Sequence, residues 1–281
     1  MSEHFKPETH GSQVVEWFAE RVKFKIWLIR GGHAACLADA LAHGGASCII
    51  FTGHSQAELQ SIIDHLHRKY HQTKIIFITA DSGSLASMRE AADTIKELGV
   101  PIDGIVGFPT VTAAAWELTT DGIEGHFQRN YLCYFVLVKT LLERMSARAR
   151  VVMVTTSVRQ EAPAPTWEDV SFSNGETYHP LDGYAQSMFA NIIFAKSLAR
   201  RSIAAFSANP GNTKNNIQTY VSTDEVASWL QRKKEAGEDL PILLQQAPKS
   251  MTQGSATVLR GLLDPDLEGK TPLLVCEWSS D

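Results

Sequence analysis

The segment that bears most directly on chemistry runs from Tyr184 to Asn191 and reads YAQSMFAN. Tyr184 and Met188 are four residues apart, so they share one face of a helix. An unperturbed tyrosine hydroxyl has a pKa near ~10. Met188 supplies no charge and makes its surroundings more apolar, so forming a phenolate at pH 7 costs roughly 4 kcal/mol. Tyr184 is therefore predicted to donate a hydrogen bond or a proton rather than to act as a base.

Short apolar strands alternate with helices on either side of this segment. Strands are predicted over 25–29, 48–52, 74–78, 102–106, 150–154, 203–208 and 273–276, and helices over 14–21, 34–43, 57–70, 85–98, 122–144, 184–200 and 252–263. Buried strands that alternate with helices indicate a parallel sheet covered on both faces. The predicted fold class is therefore α/β, with a doubly wound parallel sheet flanked by helices.

Composition narrows the class of protein. The 281 residues carry a net charge of −5, which argues against a nucleic-acid partner. Cys36, Cys48, Cys133 and Cys276 lie far apart and form no C-x-x-C pair, which predicts reduced thiols, no metal site and a cytoplasmic protein. The N-terminus lacks the apolar core of a signal peptide, and no apolar run is long enough to span a membrane.

Five segments together resemble the short-chain dehydrogenase/reductase family, and within it the retinol-dehydrogenase-like branch. They are ADSGSLASMR (80–89), DGIEGHFQRN (121–130), YAQSMFANIIF (184–194), PG (210–211) and LDPDLEG (263–269), in the family's order. The resemblance implies one Rossmann-like domain over residues 1–281, with 1–12 flexible and 212–246 covering the substrate. It also implies a small-molecule substrate at the carboxyl ends of the strands, and a homodimer or homotetramer.

The resemblance places a dinucleotide against a Thr-Gly-x-x-x-Gly-x-Gly loop after the first strand, and this chain departs from that pattern. Only the adjacent Gly31 and Gly32 remain. Asp81 matches an acid that lies near the adenine in the family, and it also reads as a helix cap. The family's Asn-Asn-Ala-Gly is replaced by GFPT (107–110), whose bulk is expected to intrude on a nucleotide. We therefore expect no cofactor; the alternative is NADP(H), held by Gly31, Gly32 and Asp81.

By the same resemblance, the catalytic asparagine, serine and tyrosine positions fall on Asn130, Thr156 and Tyr184. A shift of one residue would put Ser157 in the serine position, and the sequence leaves both open. The family's lysine, which favours the phenolate and binds the cofactor ribose, is replaced by Met188. A hydroxyl, a phenol and an amide are therefore retained while the cation is lost.

Other residues are expected to shape the substrate pocket around this centre. Met188 reads as an apolar filler of the space that a lysine leaves. His179 lies on the loop before Tyr184, and His126 lies four residues before Asn130, so either could supply a base. The predicted pocket residues are Met188, Phe108, Ser157, His179, Pro210 and Gly211.

Three functions are compatible with these residues. The cofactor and lysine positions change together while Tyr184 persists. This predicts a cofactor-independent, non-redox conversion (isomerisation, cyclisation, dehydration or cycloaddition) of a small, largely apolar molecule in specialised-metabolite biosynthesis. The alternative is an NADPH-dependent carbonyl reductase or alcohol dehydrogenase with a divergent cofactor loop. A second alternative is a non-catalytic protein that binds a metabolite or a partner.

Overall fold

The computed structural model describes residues 5–30, 34–158, 165–213, 222–235, 237, 247–270 and 273–275. Its strands form one parallel seven-stranded sheet with the order β3-β2-β1-β4-β5-β6-β7. The strands are β1 Ile26–Arg30, β2 Cys48–Gly53, β3 Lys74–Thr79, β4 Ile102–Gly107, β5 Met145–Val154, β6 Ala204–Ala208 and β7 Leu273–Val275. The predicted α/β fold with a Rossmann-like doubly wound sheet is confirmed.

Helices cover both faces of this sheet. They are α1 Gly11–Trp17, α2 Ala19–Val22, α3 Ala34–His43, α4 Gln56–Lys69, α5 Leu85–Glu97, α6 Gly125–Phe127, α7 Cys133–Leu141, α8 Pro180–Ala199, α9 Thr223–Glu235 and α10 Met251–Leu263. A π-helical turn, Gln128–Leu132, joins α6 to α7, and short 3-10 turns occupy Leu142–Arg144, Ser173–Gly175 and Pro265–Leu267. No helix within these described ranges is long and apolar enough to cross a membrane.

The core consists of two apolar layers because successive side chains of a strand point to opposite faces. Ile29 of β1 packs in the layer that α1, α3 and α10 cover, while Leu28 packs in the layer that α5, α7 and α8 cover. Both residues are fully buried. This double coverage explains why the strands read as continuous apolar runs rather than as alternating ones.

Three segments differ from the sequence prediction. The helix predicted over 122–144 is interrupted by the π turn, and β5 begins at Met145 rather than near residue 150. Residues 5–12, expected to be flexible, are packed: Phe5 and Thr9 are buried, and α1 contacts α3 and α10. In the described part of 212–246, α9 places Trp229 against Tyr184 and Met188, so this region covers the start of α8.

Candidate active site

A cleft of about 780 Å³, measured out to its open mouth, lies at the carboxyl ends of β4, β5 and β6. Ligands of doubly wound sheets bind in this kind of crevice. None of the described residues that line the cleft is an acid, a lysine, an arginine or a histidine. Its hydroxyl groups come from Thr112, Thr155, Thr156, Tyr184, Thr213 and Ser255. The described walls of the cleft are therefore uncharged, with hydroxyl groups set among apolar side chains such as Phe108, Val154 and Met251.

Tyr184 lies in the first turns of α8 and is 5% exposed. Tyr184 and Thr112 both line the cleft. Burial raises the pKa of Tyr184 to about 12, because a phenolate loses its hydration there, and the Thr112 hydroxyl offsets only part of that rise. At neutral pH the Tyr184 hydroxyl is therefore protonated, and its role as a proton donor stays a prediction.

Asn130 lies inside the π turn and is fully buried. Its Oδ1 accepts hydrogen bonds from the amides of Thr110 and Val111 at 2.9 and 3.0 Å. Its Nδ2 donates to the Val111 carbonyl at 2.8 Å and to Ser187 Oγ at 3.1 Å. These four bonds use the full capacity of a side-chain amide. Asn130 therefore holds the loop after β4 against α8 and offers no free donor or acceptor to a ligand.

The end of β5 brings Thr156, and not Ser157, to the cleft beside Tyr184. Ser157 is 3% exposed, and its hydroxyl has no hydrogen-bond partner among the described residues. Thr155, which also lines the cleft, donates its hydroxyl to the Met188 carbonyl at 3.2 Å and so ties the strand end to α8. In this structure the hydroxyl that accompanies Tyr184 at the strand end belongs to Thr156.

Of the predicted pocket residues, Phe108, Pro210 and Gly211 line the cleft, and Met188, Ser157 and His179 do not. Met188 is fully buried and packs with Tyr184 and Trp229, because an unbranched apolar side chain fills the interior behind the phenol. His179 is instead the N-cap of α8, where Nδ1 accepts the Leu181 amide at 3.3 Å. Burial and the nearby Arg232 lower the pKa of His179.

Of the three residues predicted to bind a cofactor, the structure describes only Asp81. Gly31 and Gly32 lie outside the described residues. The Asp81 carboxylate accepts the Gly83 amide at 2.8 Å, so it stabilises the turn before α5. The Arg30 side chain, at the end of β1, is 3% exposed and donates from Nη1 to the Ala80 carbonyl at 3.1 Å. Its guanidinium therefore faces the interior.

The other candidate base, His126, belongs to a buried cluster. Its Nε2 accepts the Ala114 amide at 3.2 Å, which assigns the ring proton to Nδ1. Nδ1 lies 3.2 Å from Glu124 Oε1 and 2.8 Å from the Tyr178 hydroxyl, which in turn donates to the Ala114 carbonyl. His126 thus positions the loop that contains Ala114. In the described part of the chain, no cluster of histidine, cysteine, aspartate or glutamate could hold a metal ion.

In the loop from residue 108 to residue 114, the sequence predicted Phe108 as a pocket residue and missed Thr112, which also lines the cleft. Thr112 reaches the cleft wall from a loop that tertiary hydrogen bonds from Asn130, His126 and Tyr178 hold in place. The loop has no helical or strand periodicity, so no local pattern predicts where its side chains point.

A family model described as short chain dehydrogenase matches residues 28–226. The chain is 27% identical over 260 residues to a WW domain-containing oxidoreductase of Gallus gallus, covering 87% of this chain and 59% of that relative's length. It is 28% identical over 258 residues to the oxidoreductase fscI of Fusarium equiseti, covering 77% of this chain and 98% of the relative. A short chain dehydrogenase from Burkholderia cenocepacia J2315, solved in complex with NADP, superposes with a TM-score of 0.66 at 21% identity, covering 91% of this chain and 97% of that one.

Proposed function

This chain belongs to the short-chain dehydrogenase family, and from that premise we propose that it reduces the carbonyl group of a neutral, largely apolar small molecule. The reductant is a reduced nicotinamide dinucleotide, and Tyr184 is the proton donor. The observation that carries the proposal is the buried phenol of Tyr184 in an uncharged cleft, beside the Thr156 hydroxyl. The oxidoreductase relatives and the NADP-bound structural neighbour support this reading over the cofactor-free conversion that the sequence first predicted.

The donor set of the cleft fits the nicotinamide end of such a cofactor. The turn after β6, with Gly211 at φ +80°, and the first turn of α10 bring backbone, hydroxyl and apolar groups to one wall. We assign Pro210, Gly211 and Thr213 to holding that end. The reduced ring is neutral and the oxidised ring is cationic, so an uncharged wall favours the reduced form. When bound, the cofactor supplies a hydride to the carbonyl carbon.

The chain's own residues supply the proton that carbonyl reduction requires. The Tyr184 O–H bond breaks as a new O–H bond forms on the substrate oxygen. A phenol with a pKa of about 12 is almost fully protonated at pH 7, so Tyr184 carries the proton that it donates. The Thr156 hydroxyl donates a second hydrogen bond to the same oxygen and stabilises the negative charge that develops there. The apolar side of the cleft, with Phe108 and Val154, excludes water around the substrate.

The proposal is tested by calorimetric titration with NADPH, NADP and NADH, followed by NADPH consumption against a panel of neutral aldehydes and ketones. We expect NADPH to bind, and we expect Tyr184→Phe to retain binding while losing turnover by about 100-fold or more, since general acid catalysis contributes that much. Absence of binding by all three dinucleotides at millimolar concentration would reject the proposal.

A second candidate is the cofactor-independent conversion, which one observation favours. Met188 is fully buried and apolar at the position where the family's ribose-binding lysine stands, so the described residues supply no cation there. In this case Tyr184 and Thr156 polarise a carbonyl group, and orientation in the cleft contributes the remaining rate. Stereoselective conversion of a substrate without any dinucleotide, lost in Tyr184→Phe, supports this candidate over the first.

A further inference from the structure

The loop after β4 forms one wall of the cleft, and its C-terminal end is held at Ala114. Thr112 is one of the residues of this loop that line the cleft. The Ala114 amide donates to His126 Nε2 at 3.2 Å, and the Ala114 carbonyl accepts the Tyr178 hydroxyl at 2.9 Å. The position of the wall therefore depends on the two side chains that bind Ala114.

His126 is 1% exposed and has polar partners at both ring nitrogens. Because Nε2 accepts the Ala114 amide, the ring is neutral and carries its proton on Nδ1. Nδ1 lies 2.8 Å from the Tyr178 hydroxyl and 3.2 Å from Glu124 Oε1. A second proton on the ring would occupy Nε2, and two donors would then face each other. The hydrogen bond to Ala114 therefore exists only while His126 is neutral.

Titratable groups face the His126 ring from each neighbouring element. Glu124, the N-cap of α6, is fully buried beside it. Tyr178 contacts the ring from the loop before α8, and burial together with Glu124 raises the pKa of the Tyr178 phenol. Tyr184 contacts the ring from α8, with ring centroids 6.1 Å apart. Two further charged pairs near the cluster are internally compensated: Glu117 with Arg129, and Asp182 with Arg232. Glu124 is therefore the group that would stabilise a charged His126 ring in the interior.

The backbone of Ala113, between Thr112 and Ala114, is strained. Ala113 has φ +45°, in the left-handed region that L-amino acids rarely adopt. It is also buried against Tyr184 and Met188. A strained residue persists only where surrounding contacts over-determine it. Loss of the Ala114 amide bond would therefore let this backbone relax and move Thr112 in the cleft wall.

We propose that His126 is a positioning residue for the cleft wall, and that a proton gained at Nε2 releases Ala114 and weakens substrate binding. The proton comes from solvent, and only the hydrogen bond to Ala114 is lost. An unperturbed histidine changes its charge between pH 5 and 8, so acidification is the signal to which this device responds. The effect on substrate binding rests on the proposed carbonyl reduction, whereas the release of the loop rests on the hydrogen bonds alone.

The test follows the Ala114 amide by NMR in the intact protein labelled with 15N-alanine, between pH 8 and pH 5. Ala114→Gly assigns the resonance. In His126→Gln, a carboxamide oxygen can replace Nε2 as the acceptor but gains no proton in this range. His67→Gln is the matched control, because His67 is exposed on α4, which supplies no described residue to the cleft. Thermal unfolding at each pH establishes that the fold is retained.

We expect the Ala114 resonance to move on acidification in the wild-type protein and in His67→Gln, and to stay constant in His126→Gln. A second variant, Glu124→Gln, should move the midpoint of this change to lower pH, because a carboxylate stabilises an imidazolium. For the neutral aldehyde or ketone that turns over fastest, wild-type KM should rise about fivefold from pH 8 to pH 5, the equivalent of one hydrogen bond, while kcat changes less than about twofold.

A wild-type Ala114 resonance that stays constant, or one that moves alike in the wild-type protein and in His126→Gln, overturns the inference. If His126→Gln does not fold, an unchanged midpoint in Glu124→Gln overturns it instead. A wild-type protein that shows the Ala114 change without any NADPH-dependent turnover overturns the proposed function alone, because the resonance needs no substrate.

Discussion

At the residue scale, the reactivity of the cleft depends on what surrounds the Tyr184 hydroxyl. Met188 packs behind the phenol without charge, and burial keeps the hydroxyl protonated with a pKa of about 12. The sequence predicted this direction from the Tyr184–Met188 spacing, because one helical turn places the two side chains on the same face. It could not predict that Thr112 lines the cleft, because the loop that carries Thr112 is held by contacts between segments that are distant in the chain.

The protonation of Tyr184 predicts opposite pH dependences for the two reaction directions. In the proposed carbonyl reduction Tyr184 reacts as the neutral phenol, so kcat should stay flat between pH 6 and 9, well below the pKa of about 12. Alcohol oxidation needs the phenolate, whose fraction rises about tenfold per pH unit in that range. Initial rates in both directions measure this. A reduction rate that falls with a midpoint near neutral pH contradicts it.

The Met188→Lys variant tests how a cation at this position changes the pKa of Tyr184 and the stability of the fold. An ammonium at this fully buried site should lower the pKa of Tyr184 below about 12, and should reduce the free energy of unfolding by roughly 3 kcal/mol because a cation loses its hydration. Met188→Leu, the control, should change stability by less than about 1.5 kcal/mol. Tyrosine Cζ titration and urea unfolding are the measurements. An unchanged Tyr184 pKa in Met188→Lys means that the ammonium does not reach the phenol.

At the scale of secondary-structure elements, the sequence correctly predicted those helices whose ends are marked by nearby residues such as glycine. Helix α3 was predicted over 34–43 and spans Ala34–His43, because Gly44 and Gly45 follow it and Gly45 adopts φ +84°. The π turn at Gln128–Leu132 escaped prediction, because it is stabilised by the tertiary contacts of Asn130 rather than by any periodic pattern. The π turn holds the loop after β4, which lines the cleft, so the site depends on tertiary contacts that the sequence does not show.

Helix α10 forms one wall of the cleft, and Gly254 allows this helix to pack closely against Thr213. A Cβ at Gly254 would lie 2.3 Å from Thr213 Cγ2, too close for any real contact. Gly254→Ala should therefore lower the free energy of unfolding by roughly 1–3 kcal/mol, although alanine favours a helix by about 1 kcal/mol.

The matched variants separate the clash from a general effect of alanine. Thr213→Ser removes the colliding methyl group, so the Gly254→Ala/Thr213→Ser double variant should recover most of the lost stability. Gly261→Ala in the same helix meets Val152 only at 3.3 Å and should cost less. Urea unfolding of the set is the measurement. Equal losses in the single and double variants would show that Thr213 is not the obstacle.

At the scale of the whole molecule, one buried cation joins the sheet to its outer helix. Arg150 of β5 is 2% exposed, and its Nη1 donates to the carbonyls of Gly261 and Asp264 at 3.1 and 2.9 Å, at the end of α10. The Gly261 carbonyl is one of the last four of α10, which have no partner inside the helix, whereas the Asp264 carbonyl also accepts the Leu267 amide at 3.2 Å. A cation also matches the negative end of the helix dipole. Arg150 lies in the middle of β5 and holds the C-terminal end of α10, whereas the N-terminal end of α10 lines the cleft.

Arg150→Leu should lower the free energy of unfolding by roughly 1–3 kcal/mol, because the Gly261 carbonyl loses its donor and the Asp264 carbonyl keeps only the Leu267 amide. Arg148→Leu is the matched control: Arg148 is exposed on the same strand, so its loss should fall within about 0.5 kcal/mol. Chemical denaturation of both variants is the measurement. Similar stability losses in the two variants argue against a special role for the buried guanidinium.

The fold of the whole molecule was predictable because each strand is recognisable in the sequence as a short apolar run. The cleft was only partly predictable because its walls combine residues such as Phe108, Thr156, Tyr184, Gly211 and Gly254. Parallel sheets bring such distant positions to one edge, and the family resemblance located Thr156, Tyr184 and Gly211 within it. Gly254 and Thr112 had no counterpart in any motif, so only the structure assigns them to the cleft.

The strand order also has a consequence for synthesis on the ribosome. β1 pairs on one side with β2, which follows it closely, and on the other with β4, where Trp27 lies opposite Gly104. At ~5–20 residues per second, β4 is made roughly 4–15 s after β1. During that interval the open edge of β1, in an apolar strand, is available to pair with another nascent chain. We expect this stage to be the one at which the protein is most prone to aggregate in the cell.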